Sequence, residues 1–226
     1  MSSPPDIRHP LGNGQVRRSG GATDSRTAQP SPASTDGRQL RRMRNREAVV
    51  EALLDLYREG NLSPNAEQIA ARSGLSPRSL FRYFDDVDDL IRAAIHRAQA
   101  QALPLVLIDA IPESPFQVKV AALVEQRFRV YDAVGNAATV ARLRAPFAPV
   151  LDDTLRSNRE FFRSQMANLF APELAAMEES AAALAAADVM ASFESRRLLL
   201  DDQGLTPTQA KAVMAGALSA LLAPNP

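Results

Sequence analysis

Apolar residues recur at helical spacing along most of the chain, and nowhere do they alternate in the two-residue period of a strand. From residue 46 to 59, Val49, Val50, Leu53, Leu54 and Tyr57 share one side of a helix, with Glu47, Glu51, Asp55 and Arg58 elsewhere, and Gly60 closes it. A short second helix follows a loop of capping residues, with Ala66, Ile69 and Ala70 inward. A third is predicted over 77 to 84, and the fourth continues through Leu90, Ile91, Ala94, Ile95 and Ala98 to about residue 103. Beyond Pro104, the run of residues 105 to 108 reads as a short buried segment, and Pro112 and Pro115 bracket a loop. An amphipathic helix over 116 to 134 places Val120, Leu123, Val124, Phe128 and Tyr131 inward and stops at Gly135 and Asn136. Another short helix runs to Arg144, and a long one after Pro149 carries Leu155, Phe162, Met166 and Leu169. An Ala-rich helix is predicted from Pro172 to about Asp202, and Thr206 and Pro207 start a final helix ending near Leu222. The pattern predicts an all-α fold.

Residues 73 to 84 carry the most specific chemistry. Gly74 suits a tight turn that needs φ > 0, Ser76 is a good N-cap and Pro77 fits the first helical position. At 100° per residue Leu80 and Phe84 share one face, while Arg78 and Arg82 point away from it, flanked by Phe81 and Tyr83. Two arginines at this spacing repel on an isolated helix, so a polyanion is the fitting partner. With the two preceding helices this makes a helix-turn-helix that reads double-stranded DNA. Arg78 and Arg82 are candidates for base edges. Pro77 opens the reading helix, and Ser79 and Tyr83, with Ser63 and Asn65 before the second helix, are candidates for phosphate.

Residues 46 to 90 resemble the DNA-binding domain of TetR-family transcriptional regulators. The resemblance is carried by Glu-Gln-Ile-Ala-Ala-Arg-Ser-Gly-Leu-Ser-Pro-Arg-Ser-Leu-Phe-Arg-Tyr-Phe, residues 67 to 84, with Ile69, Ala70, Gly74, Leu75, Ser76, Leu80, Phe81 and Phe84 at matching positions. Residues 192 to 206 are similar to the late helices of many members. The resemblance implies an N-terminal three-helix DNA-binding domain, a C-terminal helical domain for ligand and dimerisation, and repression of transcription. Two positions depart from the family pattern: Arg78 stands where a small residue is usual, and Val87 where a phosphate-binding lysine is usual. A helical adaptor without sequence-specific DNA binding is the alternative reading, and Val87 is its argument.

Composition narrows the field. Lys+Arg and Asp+Glu both number 26, so DNA binding must depend on where charge sits rather than on its sum. Lysine occurs only at 119 and 211, and the arginines that replace it elsewhere suit bidentate guanine contacts. No cysteine is present, which excludes disulfides and thiolate sites. No apolar run reaches membrane-spanning length and the N-terminal stretch lacks a secretory h-region, so a cytoplasmic protein is expected. Residues 1 to 37, rich in Pro, Ser, Gly and Thr, are expected to be a disordered arm, followed by the DNA-binding domain over 38 to 90 and the regulatory domain over 91 to 226. Arg41, Arg42, Arg44 and Arg46 form a basic cluster that either reaches phosphates or is a solvated tail.

Residues 181 to 187 and 213 to 222 are apolar on more than one face, which fits either a large core or a two-fold homodimer interface, the latter also implied by the resemblance. Phe128, Tyr131, Phe147, Phe162, Met166 and Met177 are candidates to line a pocket for an apolar or amphipathic small molecule, or else plain core. The resemblance implies that such an effector acts by tilting the fourth helix and changing the spacing of two reading heads. His9 falls in the expected arm and His96 on the fourth helix, so no His pair is expected, and no phosphate loop occurs. The aspartates at 85, 86, 88 and 89 read as helix-start charges rather than as a catalytic metal cluster. No catalytic residue, cofactor or metal is expected.

Overall fold

The computed structural model describes residues 32 to 223; the first 31 residues of the expected arm lie outside them. The described residues hold ten α-helices and no strand. The fold is all-α, with a helix-turn-helix ahead of a larger helical region.

Helix α1 runs from Pro32 to Arg58, so it begins well before residue 46 and takes in residues 32 to 37 of the expected arm. Its second half buries Val49, Val50, Leu53, Leu54 and Tyr57, whereas Arg41, Arg42, Arg44 and Arg46 all project into solvent. Helix α2, Ala66–Ser73, starts with a capping box: Asn65 accepts from the Gln68 amide at 2.9 Å, and the Gln68 side chain accepts from the Asn65 amide at 2.9 Å. Gly74 ends it in the left-handed region at φ 71°, which only glycine enters without strain.

Helix α3 is shorter than predicted. It spans Pro77–Leu80 instead of 77 to 84, and the chain continues as turns through residue 83. The amides of Arg82 and Tyr83 bond three residues back, to Ser79 and Leu80, and that of Phe84 bonds to Leu80. Tightening to the i→i+3 pattern turns the chain towards the next helix within one turn of Leu80. Leu80 and Phe84 stay together and buried, each contributing roughly 1.5–3 kcal/mol by leaving water.

Helix α4, Val87–Ala102, is capped by Asp86, which accepts from the Asp89 amide at 2.6 Å. Asp88 pairs with Arg144 at 2.8 Å, so these aspartates serve caps and ion pairs. After a 3-10 turn at Leu103–Leu105, the segment predicted to be buried is only half so: Leu105, Val106 and Ile108 pack against the apolar clusters, but Leu107 is 74% exposed. A carbonyl adds to this anchoring, because Val106 O accepts from Gln126 at 2.9 Å and from Gln165 at 2.6 Å.

Helix α5, Phe116–Arg144, buries all five residues predicted to face inward. It is bent at the expected stop, where Gly135 sits at φ 44°, ψ −133°. Asn136, just past the bend, donates to Tyr57 O at 2.7 Å and so ties α5 to α1. Helix α6, Pro149–Leu169, follows as expected.

The Ala-rich helix predicted from 172 to 202 is instead divided into α7, Ala171–Ala175, α8, Ser180–Met190, and α9, Phe193–Arg197, with a π turn to Asp202. Ser192 causes the second break: its hydroxyl caps Ser195 N at 3.1 Å, an N-cap geometry that α8 cannot continue through. Helix α10, Pro207–Leu222, begins at the predicted Thr206 cap, completed by Gln209.

One apolar cluster joins Leu53, Leu80, Phe84 and Leu90 of the first four helices to Ala137, Val140 and Ala141 of α5 and Leu155 of α6. A second gathers α5, α6, α8 and α10 around Phe128, Met166, Met214 and Leu218. The helix-turn-helix therefore shares its core with the helices that follow.

Candidate nucleic-acid interface

The arginines of the reading segment differ in their surroundings. Arg78 is exposed and meets no partner among the described residues. Arg82 is also exposed, but one Nη donates to the Tyr83 hydroxyl at 3.0 Å and its guanidinium lies 5.4 Å from the centre of that ring. Asn45 of α1 donates to the same hydroxyl at 2.8 Å. These two hydrogen bonds, Asn45's first and then Arg82's, hold the Tyr83 phenol below its ordinary pKa, with the charges of Arg82 and Arg42 adding to the effect.

Helix α1 thus contributes directly to the surroundings of Arg82 and Tyr83. Residues 42, 45 and 46 recur at helical spacing, and Arg46 lies 4.7 Å over the ring of buried Phe84. Asn45 was not singled out in the sequence because its partner is 38 residues away, and no local pattern announces such a bond. Ser79 is half-buried and exchanges a 2.9 Å hydrogen bond with the exposed cap Ser76. Ser63 and Asn65 are exposed at the start of α2, and Pro77 is exposed at the start of α3. Phe81 is 55% exposed beside Arg78, so an aromatic face is offered on the same surface. What this arrangement can do is donate many charge-assisted hydrogen bonds to an outside anion, since among the described residues no carboxylate pairs with Arg78, Arg82 or Arg42.

The six residues proposed for a ligand pocket separate into groups. Tyr131 and Phe162 line a cavity of about 640 Å³ bounded by α4, α5, α6, α8 and α9. Phe128 and Met166 are buried in the second apolar cluster, Met177 lies in the turn between α7 and α8, and Phe147 is 86% exposed in a 3-10 turn. Rings pack edge to face around the cavity, Tyr131 against Phe162 at 6.0 Å and against Phe193 at 5.6 Å. The Tyr131 hydroxyl donates to Ala191 O at 2.9 Å, and burial pushes its pKa up to about 12. Ile95, Ala98, Ala137, Ala141 and Leu155 belong both to this wall and to the core under the reading segment.

Charged groups gather at one end of the cavity. Arg142 donates from Nε to Glu194 at 2.7 Å, and Arg159 approaches the same carboxylate at 3.6 Å. Burial works against ionisation of Glu194, but the hydrogen bond and charge of Arg142 outweigh it and leave its pKa lowered. Asp188 faces Arg163 at 3.7 Å, and burial raises its pKa against the opposing pull of Arg163, Arg127 and Arg159. Sequence periodicity left Arg127 undecided between surface and pocket. It is 1% exposed and bonded to Gln126 Oε1 at 2.6 Å, Gln165 Oε1 at 2.9 Å and Phe162 O at 2.9 Å.

No family model and no curated protein sequence matches the chain. Two solved structures share its fold. A candidate TetR-family transcriptional regulator from Rhodococcus sp. aligns with a TM-score of 0.56 and 17% identity, over 80% of this chain and 100% of its own. A second candidate TetR-family regulator, from Mesorhizobium loti, aligns with a TM-score of 0.53 and 14% identity, over 81% of this chain and 97% of its own. The chain has the fold of these proteins: an N-terminal helix-turn-helix followed by a helical domain.

Proposed function

We propose that this protein is a ligand-responsive DNA-binding regulator of transcription, a cytoplasmic repressor that works as a homodimer on a pseudo-palindromic operator. The carrying observation is the segment 77 to 84: Leu80 and Phe84 fix it to the core while Arg78 and Arg82 face outward, paired with no carboxylate among the described residues. In this reading each α3 enters a major groove, with Arg78 and Arg82 at base edges and Arg41, Arg42, Arg44, Arg46, Ser63, Asn65, Ser79 and Tyr83 along the phosphates. Two copies then span half-sites about 34–36 Å apart, or a multiple of it.

The exposed faces of α8 and α10 support pairing of two copies. These helices pack on each other through Ala187 and Met214, yet Val189 and Val213 and the small residues Gly216 and Ala220 remain outside. Such faces join in four-helix dimer contacts, where small residues let backbones approach.

The cavity supports control by a small molecule. Its wall includes Ile95, Ala98 and Ala102 of α4, the helix whose first turns pack under the reading segment through Leu90 and Ile91. A ligand that moves α4 changes the separation of the two reading heads and weakens operator binding.

Fluorescence anisotropy on DNA from upstream of the protein's own gene and on random DNA tests the reading. Salt-sensitive binding with a sequence preference is expected; absence of salt-sensitive binding to either duplex refutes it in favour of a helical adaptor.

A further inference from the structure

Positive charge outnumbers negative in the cluster of side chains in and just behind the polar wall of the cavity between α4 and α9. Arg142, Arg159, Asp188 and Glu194 line the wall; Arg163 stands behind Asp188, and Arg127 behind Phe162, so four guanidiniums surround two carboxylates. Arg142 is fully engaged: Nε on Glu194 at 2.7 Å, one Nη on Ala138 O at 3.1 Å, and its face 4.2 Å from the centre of the Phe193 ring. Arg159 and Arg163 are not. Their carboxylate partners stand at 3.6 Å and 3.7 Å, beyond a normal hydrogen bond, and both side chains are about half exposed and able to swing. Arg127 is the anomaly: among the described residues its buried guanidinium hydrogen-bonds only to neutral carbonyls and lies 4.4 Å from the Phe162 ring, while Asp188 acts on it only through space. A buried cation normally has a counter-charge, since an apolar surround screens it poorly.

The rest of the wall is apolar, built from residues such as Val130, Tyr131, Val134, Leu155 and Phe162. Leu103 and Phe161 are exposed at its edge, which leaves a route from solvent. At about 640 Å³ the space falls within the range of small-molecule sites, about 300–1,000 Å³. An ammonium group entering here would add to a surplus of positive charge; an uncharged ligand would leave that surplus standing.

We propose that the cavity takes an apolar molecule bearing a single carboxylate, its tail among Tyr131, Phe162 and Leu155 and its carboxylate held by Arg159 and Arg163, with Arg127 behind. The inference rests on the cavity being the effector site. It deepens that reading by assigning the effector's charge and shape: an amphipathic organic acid. On binding, Arg159 and Arg163 turn from Glu194 and Asp188 to the ligand, and the tail presses on the α4 wall.

Titration calorimetry on the full chain with dodecanoate, dodecanol and dodecyltrimethylammonium, each below its micellar concentration, tests it. Dodecanoate is expected to bind about tenfold or more tighter than the other two, the scale of one charge-assisted hydrogen bond. The double variant Arg159→Gln/Arg163→Gln changes two half-exposed side chains, and its fold is checked by circular dichroism. It is expected to bring dodecanoate down to the affinity of dodecanol while dodecanol itself is unmoved. Tighter binding of the ammonium or the alcohol overturns the charge assignment but leaves a ligand-responsive regulator standing. A preference for dodecanoate that survives the double variant overturns the site. Failure of all three to bind overturns the proposal and the effector reading together, whereas DNA binding by the same preparation, measured without amphiphile, is decided independently.

Discussion

Arg82 is tethered to Tyr83, Nη to hydroxyl at 3.0 Å, whereas Arg78 one turn earlier is free of partners among the described residues. A tethered guanidinium loses less freedom on meeting a base, so the two arginines are not equivalent readers. Arg78→Ala and Arg82→Ala are each expected to cost about 1–3 kcal/mol on the preferred operator and to relax preference at one or two base pairs. Tyr83→Phe, which releases both Arg82 and Asn45, is expected to cost about 0.5–1.5 kcal/mol. Anisotropy against a panel of single-base operator variants checks all three, and an unchanged operator affinity in Tyr83→Phe would show the tether to be idle.

Arg42 lies near enough to Tyr83 to lower its pKa, yet has no partner among the described residues. As a phosphate contact it acts on every sequence alike. Arg42→Ala is expected to weaken specific and random DNA equally and to reduce the slope of log K against log salt by about 0.9. A change confined to the specific operator would move Arg42 into the reading group.

The bend in α5 depends on Gly135. At φ 44°, ψ −133° an added Cβ meets no atom within 4 Å, so the penalty for a side chain is entirely backbone strain. Gly135→Ala is expected to lower unfolding free energy by about 1–3 kcal/mol in urea denaturation. Gly216→Ala, within α10 and equally uncrowded, is the control and should stabilise the monomer by about 0.5–1 kcal/mol.

Asp188 is an acid whose pKa is raised in the folded state, chiefly by burial and despite Arg163, Arg127 and Arg159. The folded protein therefore holds this proton to higher pH than the unfolded chain. Stability falls as pH rises from the ordinary aspartate value, about 3.9, through the raised folded value, and stays reduced above it. Asp188→Asn is expected to melt higher than the parent at neutral pH and to lose that advantage below about pH 4. Thermal melts across pH 3.5 to about 7.5 follow the difference directly, and a parent at least as stable as the variant at neutral pH contradicts it.

Val213 is 44% exposed on the outer face of α10. Val213→Arg is expected to convert a dimer to a monomer in sedimentation velocity while leaving helicity unchanged, since the new charge has no partner across a two-fold contact. A wild-type chain that sediments as a monomer at micromolar concentration would remove the pairing itself.

The local elements of the reading head were legible because their signals are local. Asn65 among the capping residues, Gly74, Ser76 with Pro77, and in the last helix Thr206 with Pro207 act over a few residues, and each appears where the sequence places it. Inward faces of α4 and α5 were legible for the same reason, since burial follows a fixed 3.6-residue period. Tertiary packing decided the rest. Whether Arg127 is surface or core depends on Gln165 and Phe162 O, more than thirty residues away. Two hydrogen bonds to one carbonyl, with partial burial of Leu105, Val106 and Ile108, hold residues 105 to 108 in place, and the Ser192 hydroxyl starts a new helix where the predicted one was to continue. Period and capping describe a helix in isolation; which charges share a cavity, and whether they balance, exists only once distant helices meet.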